Sequence, residues 1–356
     1  MRIKKQIFCL LLLLCMFFTG CSAETQEKNL TKFTASFYDA FDTVITLIGY
    51  APDQETFDRV FSQAKDMFLH YHRIYDGYAA YEGVHNLYYV NRNAGKGPAP
   101  AEPELIELLQ YMKELQPRLL GRVNVAMGAV LSCWHEYRSF GEKLPPADRL
   151  AKLAEHCDFD DVIIDPDAGT VYFADPALSL DLGAVAKGYA TEIVASWLLT
   201  SEMPSYIISA GGNVRCGEKP RDGRARWGVG IQDPSVSLFA EENKTLDVIY
   251  ETDMSVVTSG DYQRYYVVDG VRYHHIIDPD TLFPSAYMRQ VTVVTRDSGY
   301  ADALSTALFL LPYEEGRAFA DSLEGVEVYW VLPDGSVQFT DGIKPVLRSQ
   351  GGSATD

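Results

Sequence analysis

Leu180-Asp181-Leu182-Gly183-Ala184-Val185-Ala186-Lys187-Gly188-Tyr189-Ala190 joins two kinds of chain. Ser179 to Gly183 ends a strand-like run, and the stretch from Ala184 to about Thr200 reads as a helix. A glycine at a strand-to-helix corner lets a ligand approach the backbone. The helix N-terminus behind it offers free N–H groups and a partial positive charge. Lys187 lies one turn into the helix, within reach of a phosphate, and Asp181 before the corner suits a ring nitrogen or a ribose hydroxyl. The pattern is neither a P-loop nor GxGxxG. The plain alternative is a packing turn beside an exposed lysine.

C-terminal to this corner the chain is built of short strands and tight turns. Tyr206 to Ser209 enters Ala210-Gly211-Gly212-Asn213, and further strands are expected at 227–231, 246–250, 254–258, 264–269, 271–277, 290–295, 327–332 and 336–339. Helices are expected at about 300–311 and at Tyr313–Leu323. On the N-terminal side, 162–165 and 170–173 flank a turn at Pro166-Asp167-Ala168-Gly169. Further back, Phe37 to Tyr50 reads as one strand. Glu55–Tyr75 reads as a helix with Phe57, Val60, Phe61, Ala64, Met67 and Phe68 on one face. Pro103–Leu115 and Asp148–Cys157 are two more helices. Strands and helices without regular βαβ alternation predict an α+β fold with mixed sheets.

The N-terminus has a different logic. Met1-Arg2-Ile3-Lys4-Lys5 is a basic head, and Ile7–Phe18 is an apolar run of 12 residues, too short for a ~30 Å hydrocarbon core. Phe18-Thr19-Gly20-Cys21 follows and looks like a bacterial lipobox, which makes residues 1–20 a lipoprotein signal and Cys21 a lipid anchor. The expected organisation is a polar tether over 21–32, a single domain over 33–345 and a polar tail over 346–356, with the protein held at the extracytoplasmic side of a cell membrane. Without residues 1–20 the chain has 28 basic and 49 acidic residues, a formal charge of -21. Such a surface repels nucleic acid and anionic lipid, so any phosphate must be held by local devices. Cys133, Cys157 and Cys216 are an odd number at irregular spacing, neither a zinc site nor a disulfide framework. They are expected as buried thiols with room for one disulfide.

Two further stretches carry chemistry. In Ala301-Asp302-Ala303-Leu304-Ser305-Thr306-Ala307-Leu308, spacing of four puts a carboxylate and a hydroxyl on one helix face. Two oxygen donors on an apolar helix suit a hard cation such as Mg²⁺; alternatively Asp302 is a helix N-cap and Thr306 bonds back to a carbonyl. In Arg272-Tyr273-His274-His275-Ile276-Ile277-Asp278-Pro279, strand alternation sends the two histidines to opposite faces, so at most one lines a given site.

Taken in order, Asp181-x-Gly-Ala-x-Ala-Lys-Gly-Tyr-Ala, Ala-Gly-Gly-Asn, Ser-Gly-Asp-Tyr-x-Arg-Tyr-Tyr, Tyr-His-His-Ile-Ile-Asp-Pro and Ala-Asp-Ala-Leu-Ser-Thr-Ala-Leu resemble the ApbE family of FAD:protein FMN transferases, over about residues 37–342. The resemblance implies an ApbE-like (T-fold-like) α+β architecture. It also implies a magnesium-dependent enzyme that cuts the FAD pyrophosphate, moves FMN to a threonine or serine hydroxyl of a target flavoprotein and releases AMP. By motif, Asp302, Thr306 and the Ala184 carbonyl are the Mg²⁺ ligands, Asp181 and Lys187 contact FAD, His275 is the catalytic histidine and His274 its neighbour at the cofactor. Phe41 stands in Phe41-Asp42-Thr43, where the family has Met-Gly-Thr. Val123 and Asn124 stand where many relatives have Phe-Asp; all three are expected along the flavin, and Tyr78 is expected to stack on the adenine. A hydrolase giving free FMN and AMP and a non-catalytic flavin-binding lipoprotein are the alternatives.

Overall fold

Residues 37–50 do not form one strand. In the computed structural model, which describes residues 30–236 and 245–355, β1 (Thr31–Ala40) and β2 (Thr43–Ala51) pair antiparallel and reverse at Phe41-Asp42. Phe41 and Asp42 take φ of 54° and 50°, the double left-handed conformation that tight hairpins require. Asn-Gly or Asp-Gly normally announces such a reversal, and Phe-Asp does not. Cys21 and the expected signal lie outside the described residues.

The chain continues through α1 (Gln54–Tyr75), capped by the Asp53 carboxylate accepting from Thr56 N–H at 2.8 Å, then α2 (Leu87–Arg92), β3 (Ala99–Pro100) and α3 (Pro103–Leu115). Next come α4 (Gly128–Phe140), absent from the sequence expectation, α5 (Ala147–Ala154), and the hairpin β4 (Val162–Asp165) and β5 (Thr170–Phe173), to which β3 adds a third strand. Helix α6 (Ala186–Leu199) starts two residues later than expected and leads to β6 (Tyr206–Ala210), β7 (Asn213–Cys216), β8 (Trp227–Gln232), β9 (Thr245–Glu251) and β10 (Ser255–Gly260). The hairpin β11 (Tyr265–Val268) and β12 (Val271–His274) precedes β13 (Gln290–Thr295), α7 (Ser298–Phe309), α8 (Tyr313–Asp321), β14 (Glu327–Val331) and β15 (Val337–Phe339).

The principal sheet has eight strands in the order β1-β2-β6-β7-β10-β13-β14-β15, each neighbouring pair antiparallel. Every residue of β13 is buried. The helix α7 packs on β10 and β13, and α6 packs on α7. Both helices are apolar on almost every side, the pattern of helices sunk in a core rather than laid on a surface. At ~1.5–3 kcal/mol per fully buried large apolar side chain, this layer dominates the stability of the fold. The architecture is α+β, as the sequence predicts.

A second, smaller core sits at one end. Trp134 of α4 lies at 6.3 Å and 24° from Tyr273, meets Tyr266 and Phe283 edge-on and donates from Nε1 to Leu282 O at 2.8 Å. It fastens the β11–β12 hairpin to α4. The expected polar tail is part of the fold, since Leu347 is buried, Ile249 bridges to it, and Ser349 N–H donates to Asp247 Oδ1 at 3.1 Å. Cys133 and Cys216 are buried free thiols and Cys157 a half-buried one, so there is no disulfide among the described residues. No helix among the described residues is long and apolar enough to cross a membrane.

Candidate active site

Asp302 sits in the middle of α7, only 6% exposed. It is not the helix cap. That role belongs to Asp297, whose Oδ1 accepts from Tyr300 N–H at 2.7 Å. A carboxylate in such a place must be compensated by partners. Gly188 N–H donates to Oδ2 at 2.8 Å, and Lys187 Nζ stands 3.8 Å from Oδ1. The Asn213 amide lies alongside, receiving the Lys187 ammonium at its own oxygen. Burial raises the Asp302 pKa and lowers that of Lys187, and in each case the partner's charge works the other way.

Gly188 permits this contact. A Cβ there would lie 2.4 Å from Ser298 O and 2.5 Å from the Asp302 Cβ, so only glycine lets α6 approach α7 this closely. The start of α7 is fixed to α6 by Ser298 N–H donating to Glu192 Oε2 at 2.8 Å. One consequence reaches back along α6. The Gly188 N–H, which in a regular helix would close on the Ala184 carbonyl, is spent on Asp302. Thr306, one turn beyond Asp302, is half-buried, with its hydroxyl 3.4 Å from Ser259 Oγ, while Ser259 Oγ also meets Ser305 Oγ at 2.8 Å.

The residues expected to hold a metal offer one carboxylate, one hydroxyl and one backbone carbonyl. No group of three or more His, Cys, Asp or Glu able to hold a metal occurs among the described residues. The set therefore suits a magnesium ion that takes its remaining ligands from phosphate and water, and does not suit a transition metal.

His275 follows the end of β12. Its Nδ1 meets Arg264 O at 3.3 Å, which places the proton on Nδ1 and leaves the Nε2 lone pair free. Its pKa is lowered to about 3 by burial, then by Arg264, His274 and Arg138, so the ring is neutral around pH 7. Arg264 also donates to Asp42 O at 3.3 Å, tying this histidine to the β1–β2 reversal. Close by, Gly211 takes φ of 54° against Thr43, where a Cβ would fall 2.0 Å from the Thr43 hydroxyl oxygen. Phe41-Asp42-Thr43, Ala210-Gly211-Gly212-Asn213 and Arg264 thus meet.

Tyr78 is 59% exposed and donates from its hydroxyl to Asp181 Oδ2 at 3.1 Å, while Gly183 N–H caps Asp181 Oδ1 at 2.8 Å. An open ring face beside a held carboxylate suits an aromatic ligand. Phe41 packs edge-on against Phe68 and His72.

The remaining expected contacts have other employment. His274 is buried, with Nε2 2.7 Å from Ser285 O, Nδ1 accepting from Ile276 N–H at 3.2 Å, and its ring against Phe309. Val123 is part of the main apolar core. The Asn124 amide donates to Cys157 O at 2.8 Å and accepts from Ala126 N–H at 2.9 Å. Sequence reasoning assigned no role to Asn213, Ser259, Arg264, Arg138 or His135. The first three lie inside or beside quoted motifs, which was a usable signal; Arg138 and His135 lie on the helix that was not foreseen.

The ApbE family model matches residues 41–330. The chain is 34% identical over 273 residues to an FAD:protein FMN transferase of Treponema pallidum (strain Nichols), covering 73% of this chain and 74% of that one. It is 32% identical over 244 residues to an FAD:protein FMN transferase of Klebsiella pneumoniae (strain 342), covering 68% and 73%. Among solved structures, the ApbE protein of Thermotoga maritima superposes with a TM-score of 0.78 at 24% identity over 89% of this chain and 99% of that one. The flavin transferase ApbE of Vibrio cholerae gives 0.72 at 21% over 89% and 99%. At these identities the structures speak for the fold.

Proposed function

Because this chain belongs to the ApbE family and is an FAD:protein FMN transferase, we propose that it transfers FMN from FAD to a threonine or serine hydroxyl of an extracytoplasmic flavoprotein, with magnesium as its metal. The observation that carries the metal reading is the α6–α7 contact, where Asp302 takes the Gly188 N–H and Thr306 follows one turn later. Asp302, Thr306 and the Ala184 carbonyl would hold the ion. Bound there, magnesium supplies charge neutralisation to the FAD pyrophosphate, which this acidic chain otherwise repels.

The acceptor oxygen attacks the FMN-side phosphorus, the bridging P–O bond breaks, and the bridging oxygen leaves on AMP. His275 takes the hydroxyl proton at Nε2, its other nitrogen being held by Arg264 O. An imidazole whose pKa is lowered to about 3 is a weak base in the empty site. Arriving phosphate negative charge favours its protonated form, so base strength develops as substrate binds. Lys187, facing Asp302 and 21% exposed, adds a cation on the phosphate side. The apolar run Ile7–Phe18 and Cys21 support a lipid-anchored protein whose acceptors are held at the same membrane surface.

The test is to incubate the purified chain with FAD, Mg²⁺ and a candidate acceptor and to weigh the acceptor. A gain of one FMN mass supports transfer. Free FMN and AMP without that gain would mean a hydrolase, and no turnover a binder.

A further inference from the structure

The carbonyl of Asp302 sets the direction of a short ladder of hydroxyls between α7 and β10. In a regular helix that carbonyl accepts from the N–H of Thr306, four residues on. Here its second lone pair is taken as well, because Ser305 donates from Oγ to Asp302 O at 2.9 Å. A serine has one proton to give, so Ser305 Oγ accepts from Ser259 Oγ, 2.8 Å away on β10. Ser259 has then spent its own proton, and toward Thr306 Oγ1, 3.4 Å away, it offers only a lone pair. A helical threonine commonly sends its proton back to the carbonyl four residues earlier, which here is full. Among the described residues Ser259 Oγ is the one hydrogen-bond partner of the Thr306 hydroxyl, so the Thr306 proton points at Ser259 and its oxygen keeps lone pairs for another side. Strand alternation puts Ser259 on the face of β10 that α7 covers, and Thr258 on the other, where it meets Thr292 at 2.8 Å. Ser305 is fully buried and Thr306 half-buried, so the ladder opens only at its Thr306 end.

We propose that Ser259 and Ser305 are positioning residues that turn the Thr306 hydroxyl into a cation ligand. The proposal rests on the reading that Asp302, Thr306 and the Ala184 carbonyl hold magnesium. A hydroxyl whose proton faces an ion repels it, whereas one whose proton is held from behind presents a lone pair without reorienting. Groups that orient a metal ligand in this way are typically worth ~10–100-fold in metal affinity. Ser305 has no exposed surface, so its part is to direct Ser259 and not to touch the ion. The ladder begins on the backbone of one proposed ligand and ends on the hydroxyl of the other, so a single turn of α7 sets both.

The experiment titrates Mg²⁺ by calorimetry into the full chain saturated with FAD, with no acceptor present. It compares wild type with Ser259→Ala, Ser259→Thr, Ser305→Ala, Thr306→Val and the Ser259→Ala, Thr306→Val double variant. Ser259→Ala should weaken Mg²⁺ binding by ~10-fold or more. Ser305→Ala should shift it the same way, because Ser259 then regains a proton that it can turn toward Thr306. Ser259→Thr keeps the hydroxyl and should keep the affinity, which controls for a folding defect. On the Thr306→Val background the Ser259 change should add nothing, since the two residues act through one bond. In the serine variants, FAD affinity measured without metal should not move. Unchanged Mg²⁺ affinity in Ser259→Ala overturns the ladder. An undiminished Ser259→Ala effect without the Thr306 hydroxyl overturns it too, as does a loss of metal-free FAD affinity, because Ser259 would then touch the ion or the phosphate itself. A wild-type chain that binds FAD but no Mg²⁺ overturns the metal reading and the ladder's role with it. Mg²⁺ binding that follows the ladder in a chain that flavinylates no acceptor leaves the ladder standing and removes the transfer reading instead.

Discussion

Asp302 and His275, which we propose serve one site, are held in opposite ways. Asp302 is on a central helix, compensated by a backbone N–H, a lysine and an amide, and locked by a glycine that admits no side chain. His275 lies past the end of a two-stranded hairpin outside the principal sheet, its side chain held among the described residues by a single 3.3 Å hydrogen bond from Nδ1 to Arg264 O. A hairpin alone is marginal, and this one depends on Tyr266 and Tyr273 packing against Trp134. The difference teaches a division of labour. On the proposed reading, the phosphate and metal side is rigid because a buried carboxylate tolerates no slack, whereas the base side is lightly fastened, as suits a face that a protein acceptor would enter.

The comparison breaks first at Asp302. Asp302→Ala leaves Lys187 with Asn213 but without its carboxylate partner and removes the only carboxylate of the donor set, so flavinylation should vanish, with Asp302→Asn as the isosteric control. Acceptor mass is the readout, and full flavinylation in magnesium buffer would falsify the metal assignment. Next is His275→Asn, which should slow transfer by ~10²–10⁴-fold, the usual worth of a general base, while FAD affinity by calorimetry stays within error. If FAD affinity falls in step with the rate, the histidine binds substrate rather than moving its proton.

Gly188→Ala tests rigidity without removing a side chain of the proposed donor set. A methyl group 2.4 Å from a backbone oxygen forces α6 and α7 apart, and overpacking of this kind costs ~1–3 kcal/mol. The urea midpoint should fall and transfer with it, since the Gly188 N–H leaves Asp302. The corresponding insertion on the base side, at Gly270 in the β11–β12 turn, meets no atom within 4 Å. There the cost is backbone strain alone at φ of 79°, and transfer should survive.

The same contrast explains what could be read beforehand. On the Asp302 side, helical spacing marked Asp302 and Thr306 as a pair of oxygen donors and the family resemblance joined the Ala184 carbonyl to them, while the Gly188–Asp302 contact itself emerged only from the fold. The base side was less legible. Phe41 and Asp42 reverse the chain without a glycine, so one strand was expected where there are two. Helix α4 starts behind Met127 with no side-chain cap, so nothing in the sequence announces its beginning, and Arg138 and His135 were not placed. A charge also acquires meaning only once its neighbours are known. Arg264 looks like an ordinary strand-end arginine until the fold sets its guanidinium 3.3 Å from Asp42 O, at the β1–β2 reversal.

Acidification gives the smallest and most selective test. His275 has a folded pKa lowered to about 3, against ~6.5 for an unfolded imidazole. The unfolded chain therefore takes up a proton between these values that the native chain refuses, and by linkage this residue's contribution to stability is intact above ~6.5 and declines as pH falls toward 3. Carboxylates titrate in part of the same range, so the useful quantity is the difference between wild type and His275→Asn in urea unfolding at pH 7 and at pH 5. Wild type should lose more stability than the variant over that interval. Saturating FAD should shrink the gap, because phosphate negative charge near the ring raises its native pKa toward the unfolded value. An identical loss in both proteins would place His275 in water rather than in the low-dielectric, arginine-flanked pocket that a proton-accepting role requires.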